Sequence, residues 1–140
     1  LSEDENKSHA FLILDVDCFK QINDIYGHAV GDIVLQKFGK LLKGTFREGD
    51  ILGRIGGDEF GVIMKNIQTK DIAMKKAEEL LAKTQAYKID ELKGNNISIS
   101  IGISTAPQDG DCYMDLYKRA DQALYQAKRS GKARVCNYFS

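Results

Sequence analysis

The stretch that decides the fold is Arg54-Ile55-Gly56-Gly57-Asp58-Glu59-Phe60-Gly61-Val62-Ile63-Met64. Apolar residues lead into two glycines, two carboxylates follow, and a second apolar run leaves the turn. This order predicts a β-hairpin whose tight turn uses positive φ at Gly56 and Gly57, which glycine adopts without steric cost. The turn would let a phosphate approach the backbone, with Asp58 and Glu59 beside it. The alternative is an ordinary hairpin whose acids only keep the turn soluble.

The composition is that of one globular domain. Of 140 residues, 43% are hydrophobic and 29% are charged, as in soluble proteins. Twenty basic residues balance twenty acidic ones, which argues against a surface that coats nucleic acid or a membrane. Any phosphate site must therefore be local. We expect residues 1–9 to be a linker or boundary segment and residues 10–140 to be the domain.

Three cysteines, Cys18, Cys112 and Cys136, are an odd number without metal-site spacing. They favour free thiols in a reducing cytosol over a disulfide framework. No apolar run approaches the ~20 residues that a membrane span needs, and the polar N-terminus is unlike a signal peptide. We therefore expect a cytoplasmic domain, with any membrane anchor in upstream domains.

The apolar run at residues 10–16 predicts a central strand that is buried on both faces. Asp15 and Asp17 are two positions apart, so an extended strand points both to the same side. A carboxylate at the edge of a core needs solvent, hydrogen bonds or a metal. For Asp15 we favour a metal. Asp17 is equally compatible with the N-cap of a helix that begins near Phe19.

Hydrophobic periodicity predicts the order β-α-α-β-β-α-β-α-β, an α+β fold with a mostly antiparallel central sheet and helices mainly against one face. Strict alternation at residues 97–103 predicts a half-buried strand. The elements after the first strand are expected at residues 19–26, 29–46, 50–55, 60–64, 71–87, 97–103, 113–129 and 133–138. In such a sheet the first strand lies beside the hairpin. Asp15 and Asp58 then become neighbours, as a two-metal phosphoryl-transfer site requires.

Four blocks of sequence in compatible spacing carry a family resemblance. They are DVDCFKQIND at residues 15–24, GHAVGD at 27–32, RIGGDEF at 54–60 and ADQALYQAKRSGK at 120–132. Together they resemble the GGDEF family of diguanylate cyclase domains over residues 10–138. The resemblance implies a palm-like, ferredoxin-like nucleotide cyclase fold. Members condense two GTP molecules into cyclic di-GMP, each domain of a transient antiparallel homodimer holding one GTP.

The resemblance also implies roles for the acidic residues. Asp15, Asp58 and the carbonyl of Val16 would bind Mg²⁺ or Mn²⁺, with two ions per site. Asp58 would also be the base for the ribose 3′-hydroxyl, with Glu59 beside it and Lys20 as a further catalytic residue. The implied partners are GTP as substrate, cyclic di-GMP as product and inhibitor, and an upstream sensor or regulatory domain, with no nucleic acid.

Substrate contacts follow by position in the family motifs. Asn23 and Asp32 resemble the guanine-reading pair, since a carboxylate can accept from guanine N1–H and the 2-amino group together. His28 matches another substrate contact, although a histidine in an interhelical loop is as often structural. Lys20, Lys128 and Lys132 would hold phosphate charge; the alternative is that they are three solvated lysines among many. The substrate-binding set implied in this way is Phe19, Asn23, His28, Asp32, Gly56, Gly57, Lys128 and Lys132.

A product-inhibition site is implied by Arg47-Glu48-Gly49-Asp50, which matches the family's RxxD motif, with Arg54 as a further member. The planar fork of arginine suits guanine edges and phosphates. The chain departs from the family at Cys18, often histidine, and at Lys132, usually arginine, and we expect it to begin after the family's usual lead-in segment. The alternatives are a degenerate module that only binds GTP or cyclic di-GMP, and a mononucleotide cyclase or polymerase palm.

Overall fold

Every predicted helix and strand is present in the computed structural model, which describes residues 7–138. The elements are β1 (Ser8–Val16), α1 (Phe19–Tyr26), α2 (His28–Thr45), β2 (Ile51–Arg54), β3 (Glu59–Ile67), α3 (Lys70–Ala86), a 3₁₀ turn (Asp90–Leu92), β4 (Ile99–Ala106), α4 (Tyr113–Arg129) and β5 (Val135–Asn137). β1 begins two residues before the predicted domain start. Residues 1–6 of the predicted linker lie outside the described residues. No helix in the described part is long and apolar enough to cross a bilayer.

The five strands form one sheet in the order β2-β3-β1-β4-β5. β1 lies at the centre, antiparallel to β3 and to β4, while β2 is antiparallel to β3 and β5 is parallel to β4. The predicted α+β fold with a mostly antiparallel sheet is therefore confirmed. Because β1 has a neighbour on each side, its last residues lie directly beside the start of β3.

Helices cover both faces of this sheet. Leu12 and Leu14 of β1 belong to a large core with α2 and α3, whereas Phe11 and Ile13 belong to a smaller core with α4. The prediction that helices pack mainly against one face agrees with α1, α2 and α3, whereas α4 covers the opposite face. The reason is the continuous apolar run of β1, which exposes apolar side chains on both sides of the sheet and needs cover on both.

β4 is buried along its whole length, so the prediction of a half-buried strand is also wrong. Its isoleucines face the large core, and its small residues face α4. Ser104 Oγ donates to the carbonyl of Leu116 at 2.7 Å. A Cβ added to Gly102 would lie 2.3 Å from the carbonyl oxygen of Ala120 and from the nitrogen of Leu124. The polar-looking side of β4 therefore admits a helix at close range.

Replacing Gly102 by alanine should destabilise the protein by about 1–3 kcal/mol or more, because the new methyl group meets helix backbone. Gly53→Ala in β2 is the matched control, since a Cβ there would meet nothing within 4 Å. We expect the control to change the free energy of unfolding by about 0.5 kcal/mol at most. Urea unfolding of both variants measures this, and equal stabilities would contradict the close approach of α4.

Candidate active site

The carboxyl groups of Asp15 and Asp58 meet where β1 ends and β3 begins. Asp15 pairs in register with Glu59, the residue after Asp58. The N–H of Val16 donates to the carbonyl of Asp58 at 3.4 Å. Antiparallel pairing of β1 with the hairpin thus brings two distant segments of sequence together. The predicted proximity of Asp15 and Asp58 is confirmed.

Asp15 is 7% exposed, and its surroundings are unusual for a carboxylate. Its Oδ2 atom forms an ion pair with Lys128 of α4. Its Oδ1 atom is buried and has no hydrogen-bond partner among the described residues. Burial and the adjacent Asp58 carboxyl, partly opposed by Lys128, together raise the pKa of Asp15 to about 7. Burial alone would lower the pKa of Lys128, but Asp15 and its acidic neighbours raise it overall.

This arrangement fits a divalent cation. Two carboxyl groups lie close together, and one of them has a buried oxygen without a donor. A single ammonium group cannot compensate both charges, whereas a hard divalent ion accepts carboxylate oxygens from both residues. The Val16 carbonyl belongs to the last residue of β1, between Asp15 and Asp17. The predicted ligands are therefore grouped at the end of the central strand β1, beside the start of β3.

Glu59 points to the same side of the sheet as Asp15 and is held by α4. Tyr117 Oη donates to Glu59 Oε1 at 3.1 Å, and the tyrosine ring packs 5.9 Å from the ring of Phe11. Burial and the neighbouring Glu59 raise the pKa of Tyr117. Nothing in the sequence analysis pointed to a role for Tyr117. No local pattern marks it, since its partner is distant in sequence.

The turn between β2 and β3 differs from the predicted one. Neither Gly56 nor Gly57 has positive φ, so the prediction of a primed turn is wrong. The N–H of Ile55 donates to the carbonyl of Glu59 at 2.8 Å, and Arg54 Nε donates to the carbonyl of Gly57 at 2.9 Å. An arginine side chain thus closes a longer loop that needs no left-handed residue. A Cβ at either glycine would meet nothing within 4 Å, so the surface beside the turn is open.

Asp17 is not an N-cap. Cys18 precedes α1 in the left-handed conformation, and no side chain caps the helix. The carboxylate of Asp17 instead accepts hydrogen bonds from Ser98 Oγ, Ser100 Oγ and the backbone N–H of Ala133. Asp15 and Asp17 therefore differ in their partners although both lie at the end of β1. Asp17 has three donors, while Asp15 has an unpartnered oxygen.

The contact between the two helices after β1 places Asn23 against Gly31, the residue before Asp32. A Cβ at Gly31 of α2 would lie 1.9 Å from Asn23 Oδ1 and 3.2 Å from Phe19 Cζ, both on α1. Asp32, the next residue of α2, is exposed beside this contact. His28 is exposed at the first turn of α2. A glycine inside a helix was the available signal for this contact, and sequence reasoning did not use it.

The two predicted phosphate lysines outside the acidic cluster lie near the β1–α1 loop (residues 17–18). Lys20 is exposed in the first turn of α1. Lys132 follows α4, and its Nζ atom lies 3.2 Å from Cys18 Sγ. Cys18, Cys112 and Cys136 are all free thiols.

With this geometry established, comparison with known proteins decides the family. The family model described as "Diguanylate cyclase, GGDEF domain" matches residues 1–134. The chain belongs to the GGDEF family.

Relatives of this GGDEF domain agree in sequence and in structure. The chain is 38% identical over 135 residues to diguanylate cyclase A of Treponema denticola, covering 96% of this chain but only 36% of that protein. The GGDEF domain of TpbB from Pseudomonas aeruginosa superimposes with a TM-score of 0.91 at 34% identity, covering 96% of this chain and 84% of that one. The GGDEF domain of DgcB from Caulobacter crescentus, in complex with c-di-GMP, has a TM-score of 0.88 at 26% identity, covering 97% and 81%.

The RxxD motif of this GGDEF domain forms a local ion pair. Arg47 Nη2 donates to Asp50 Oδ1 at 2.8 Å and to the carbonyl of Lys65 at 3.1 Å. The Asp50 side chain is fully buried, whereas that of Arg47 is 47% exposed. Arg54 lies at the other end of β2 and binds the turn. The structure therefore does not bring Arg54 to the Arg47–Asp50 pair.

The electrostatics of Asp15 predict how the stability of this GGDEF domain depends on pH without metal. A raised folded-state pKa favours the protonated carboxyl. The stability that the protonated Asp15 contributes is fully present below its ordinary pKa of 3.8 and is lost as the pH rises through about 7. Wild type should therefore lose stability relative to Asp15→Asn as the pH rises from about 4 to about 7, by at most about 1.4 kcal/mol per pH unit, and the difference should level off above that.

Urea unfolding with a chelator at several pH values measures this difference. Adding Mg²⁺ at pH 8 should stabilise wild type more than Asp15→Asn, since the ion offsets the charge of the paired acids. A difference between the two proteins that is flat with pH would contradict the assigned environment of Asp15.

Proposed function

We propose that this chain is a diguanylate cyclase domain that condenses two GTP molecules into cyclic di-GMP and releases pyrophosphate. The observation that carries the proposal is the convergence of Asp15 and Asp58 beside an open glycine turn, with a buried Asp15 oxygen that lacks a donor. Membership of the GGDEF family and the relative named diguanylate cyclase support it.

Metal binding is assigned to Asp15, Asp58 and the Val16 carbonyl, which would hold two Mg²⁺ or Mn²⁺ ions. Such ions polarise phosphoryl oxygens and stabilise the charge that develops during the displacement. Asp58, partly exposed at the turn, accepts the proton of the ribose 3′-hydroxyl. Glu59 stands beside it in a fixed orientation because Tyr117 binds one of its oxygens.

Phosphate binding uses the open surface of the turn and nearby ammonium groups. Gly56 and Gly57 have no Cβ, so phosphate oxygens can approach the backbone closely. Lys20 and Lys132 approach from the β1–α1 side, and Lys128 approaches from α4. Because the formal net charge of the chain is zero, these local cations supply the attraction for the nucleotide.

Guanine recognition is assigned to Asn23 and Asp32 in the groove between α1 and α2, with Phe19 and His28 at its borders. The Asp32 carboxylate accepts from N1–H and the 2-amino group of guanine, a donor pattern that adenine lacks. A site built on such hydrogen bonds rejects the wrong base strongly, because its own polar groups are then left unpaired.

The product requires two copies of this site. One hairpin presents one GTP, whereas cyclic di-GMP contains two phosphodiester bonds between two nucleotides. Two chains therefore face each other with two-fold symmetry, each 3′-hydroxyl in line with the α-phosphate held by the other chain. An upstream sensor or regulatory domain would control this encounter, in keeping with the small share of the Treponema relative that the chain covers.

Product inhibition is assigned to the RxxD pair. Asp50 holds one side of the Arg47 guanidinium, and the remaining exposed part faces solvent next to the edge strand β2. A pre-ordered guanidinium binds phosphate or a guanine edge with little further loss of conformational entropy. The c-di-GMP complex of the related DgcB domain supports binding of the product by a domain of this fold.

The decisive experiment is incubation with GTP and Mg²⁺ followed by identification of the products. Wild type should form cyclic di-GMP and pyrophosphate. Asp58→Ala should form none while remaining folded, because residue 58 lies on a surface turn and the change removes one of two adjacent carboxyl groups. Asp111→Ala removes an exposed acid before α4 and should leave turnover intact.

Normal product formation by a folded Asp58→Ala protein would overturn the catalytic assignment. If wild type binds GTP but forms no product even at high protein concentration, the chain is a regulatory binding module instead.

A glycine-to-alanine pair tests the guanine groove. Gly31→Ala should displace Asn23, whose oxygen lies 1.9 Å from the new Cβ position, and weaken nucleotide binding about tenfold through loss of a hydrogen bond. Gly44→Ala in the same helix meets nothing within 4 Å. It should stabilise α2 by up to ~1 kcal/mol without changing affinity.

Calorimetric titration with 3′-deoxy-GTP, which lacks the reacting hydroxyl, measures both affinities. Equal affinities for the two variants would show that Asn23 does not contact the nucleotide.

A further inference from the structure

Asp17 has no place in the proposed chemistry, yet it is the most extensively hydrogen-bonded acid at the site. It is 7% exposed. Ser98 Oγ donates to Oδ2 at 2.6 Å and Ser100 Oγ donates to Oδ1 at 2.6 Å. The backbone N–H of Ala133 donates to Oδ2 at 3.1 Å. Hydrogen bonds to a carboxylate are stronger than those between neutral groups. Asp17 therefore ties the end of β1 to β4 and to the loop that follows α4.

That loop adopts an unfavourable backbone conformation. Gly131, Lys132 and Ala133 have φ values of 124°, 64° and 50°. Glycine adopts positive φ easily, but two successive non-glycine residues in the left-handed region persist only where surrounding contacts hold them. At the start of the loop, the N–H of Lys132 donates to the Ala127 carbonyl at 3.0 Å. At its far end, the N–H of Ala133 is held by Asp17.

The conformation of this loop decides where the Lys132 side chain lies. Its Nζ atom is 3.2 Å from Cys18 Sγ, so the ammonium sits over the β1–α1 loop. A return of residue 133 to negative φ would change the direction of the chain at Lys132 and withdraw the ammonium. The contact between Asp17 and Ala133 opposes that change.

We propose that Asp17 is a positioning residue, which holds the α4–β5 loop (residues 130–134) in its left-handed conformation and thereby keeps the Lys132 ammonium over the β1–α1 loop. Its effect on the nucleotide rests on the proposed function of Lys132 as a phosphate ligand. Asp17 itself does not touch the nucleotide.

The first test follows the position of Lys132 without any nucleotide. In a Cys112→Ser/Cys136→Ser background, Cys18 is the remaining thiol of the three, and its reaction with the dianionic disulfide dithiobis(nitrobenzoate) is timed. An ammonium group beside the thiol attracts the dianionic reagent. Lys132→Ala should slow the reaction several-fold, and Asp17→Ala should slow it equally. The double variant should be no slower than Lys132→Ala, within about twofold.

Two further variants separate positioning from a general loss of structure. Asp17→Asn keeps an oxygen that can accept from both Ser98 and Ala133, and should react close to the parent rate. Ala133→Pro removes the N–H donor and cannot adopt φ of 50°. It should slow the reaction as much as Lys132→Ala does, and it therefore tests the proposal even if Asp17→Ala folds poorly. Losses of rate that multiply in the double variant, or parent rates in Asp17→Ala and Ala133→Pro, would overturn the proposal.

The second test is the affinity for 3′-deoxy-GTP. Lys132→Ala and Asp17→Ala should each weaken binding about tenfold, and the double variant should not be weaker still. If Lys132→Ala binds normally while the thiol rates fall together, positioning by Asp17 stands and the phosphate role of Lys132 fails.

Discussion

The antiparallel pairing of β1 with β3 is the constraint on which the rest of the structure depends. β1 is buried on both faces and ends in Asp15, and β3 begins just after Asp58. Two carboxyl groups so close together, one of them buried, would repel each other without compensation. Lys128 supplies part of that compensation from α4. The other oxygen of Asp15 has no hydrogen-bond donor, so a bound cation would supply the remaining compensation.

α4 joins the stability of the domain to the geometry of the site. It approaches β4 so closely that Gly102 has no room for a side chain. The same helix carries Tyr117 to Glu59 and Lys128 to Asp15. A change in how α4 packs would therefore shift the partners of two acids at once, because both are held by side chains of one rigid element.

Hydrogen-bond donors separate the roles of two acids that look alike. Asp15 and Asp17 lie at the same end of β1 and are equally buried. Asp17 is satisfied by two serine hydroxyls and a backbone N–H, and it organises a loop. Asp15 pairs with the Lys128 ammonium through Oδ2, and its Oδ1 has no hydrogen-bond donor. The donor supply, rather than burial, distinguishes the structural carboxylate from the candidate metal ligand.

The sequence by itself determined the helices and strands, the sheet class and the proximity of Asp15 to Asp58. Local periodicity specified α1 and α4 to the residue, and antiparallel topology placed the first strand beside the hairpin. Tertiary structure alone decided the cover on both faces, the burial of β4, the negative-φ glycine turn and the partners of Asp17, Glu59 and Arg54. The serine and glycine residues of β4 predict a solvent-exposed face, but in the structure α4 packs on them. The physical reason is range: periodicity reports contacts within one element, whereas these features depend on groups that are distant in sequence and meet only in the folded chain.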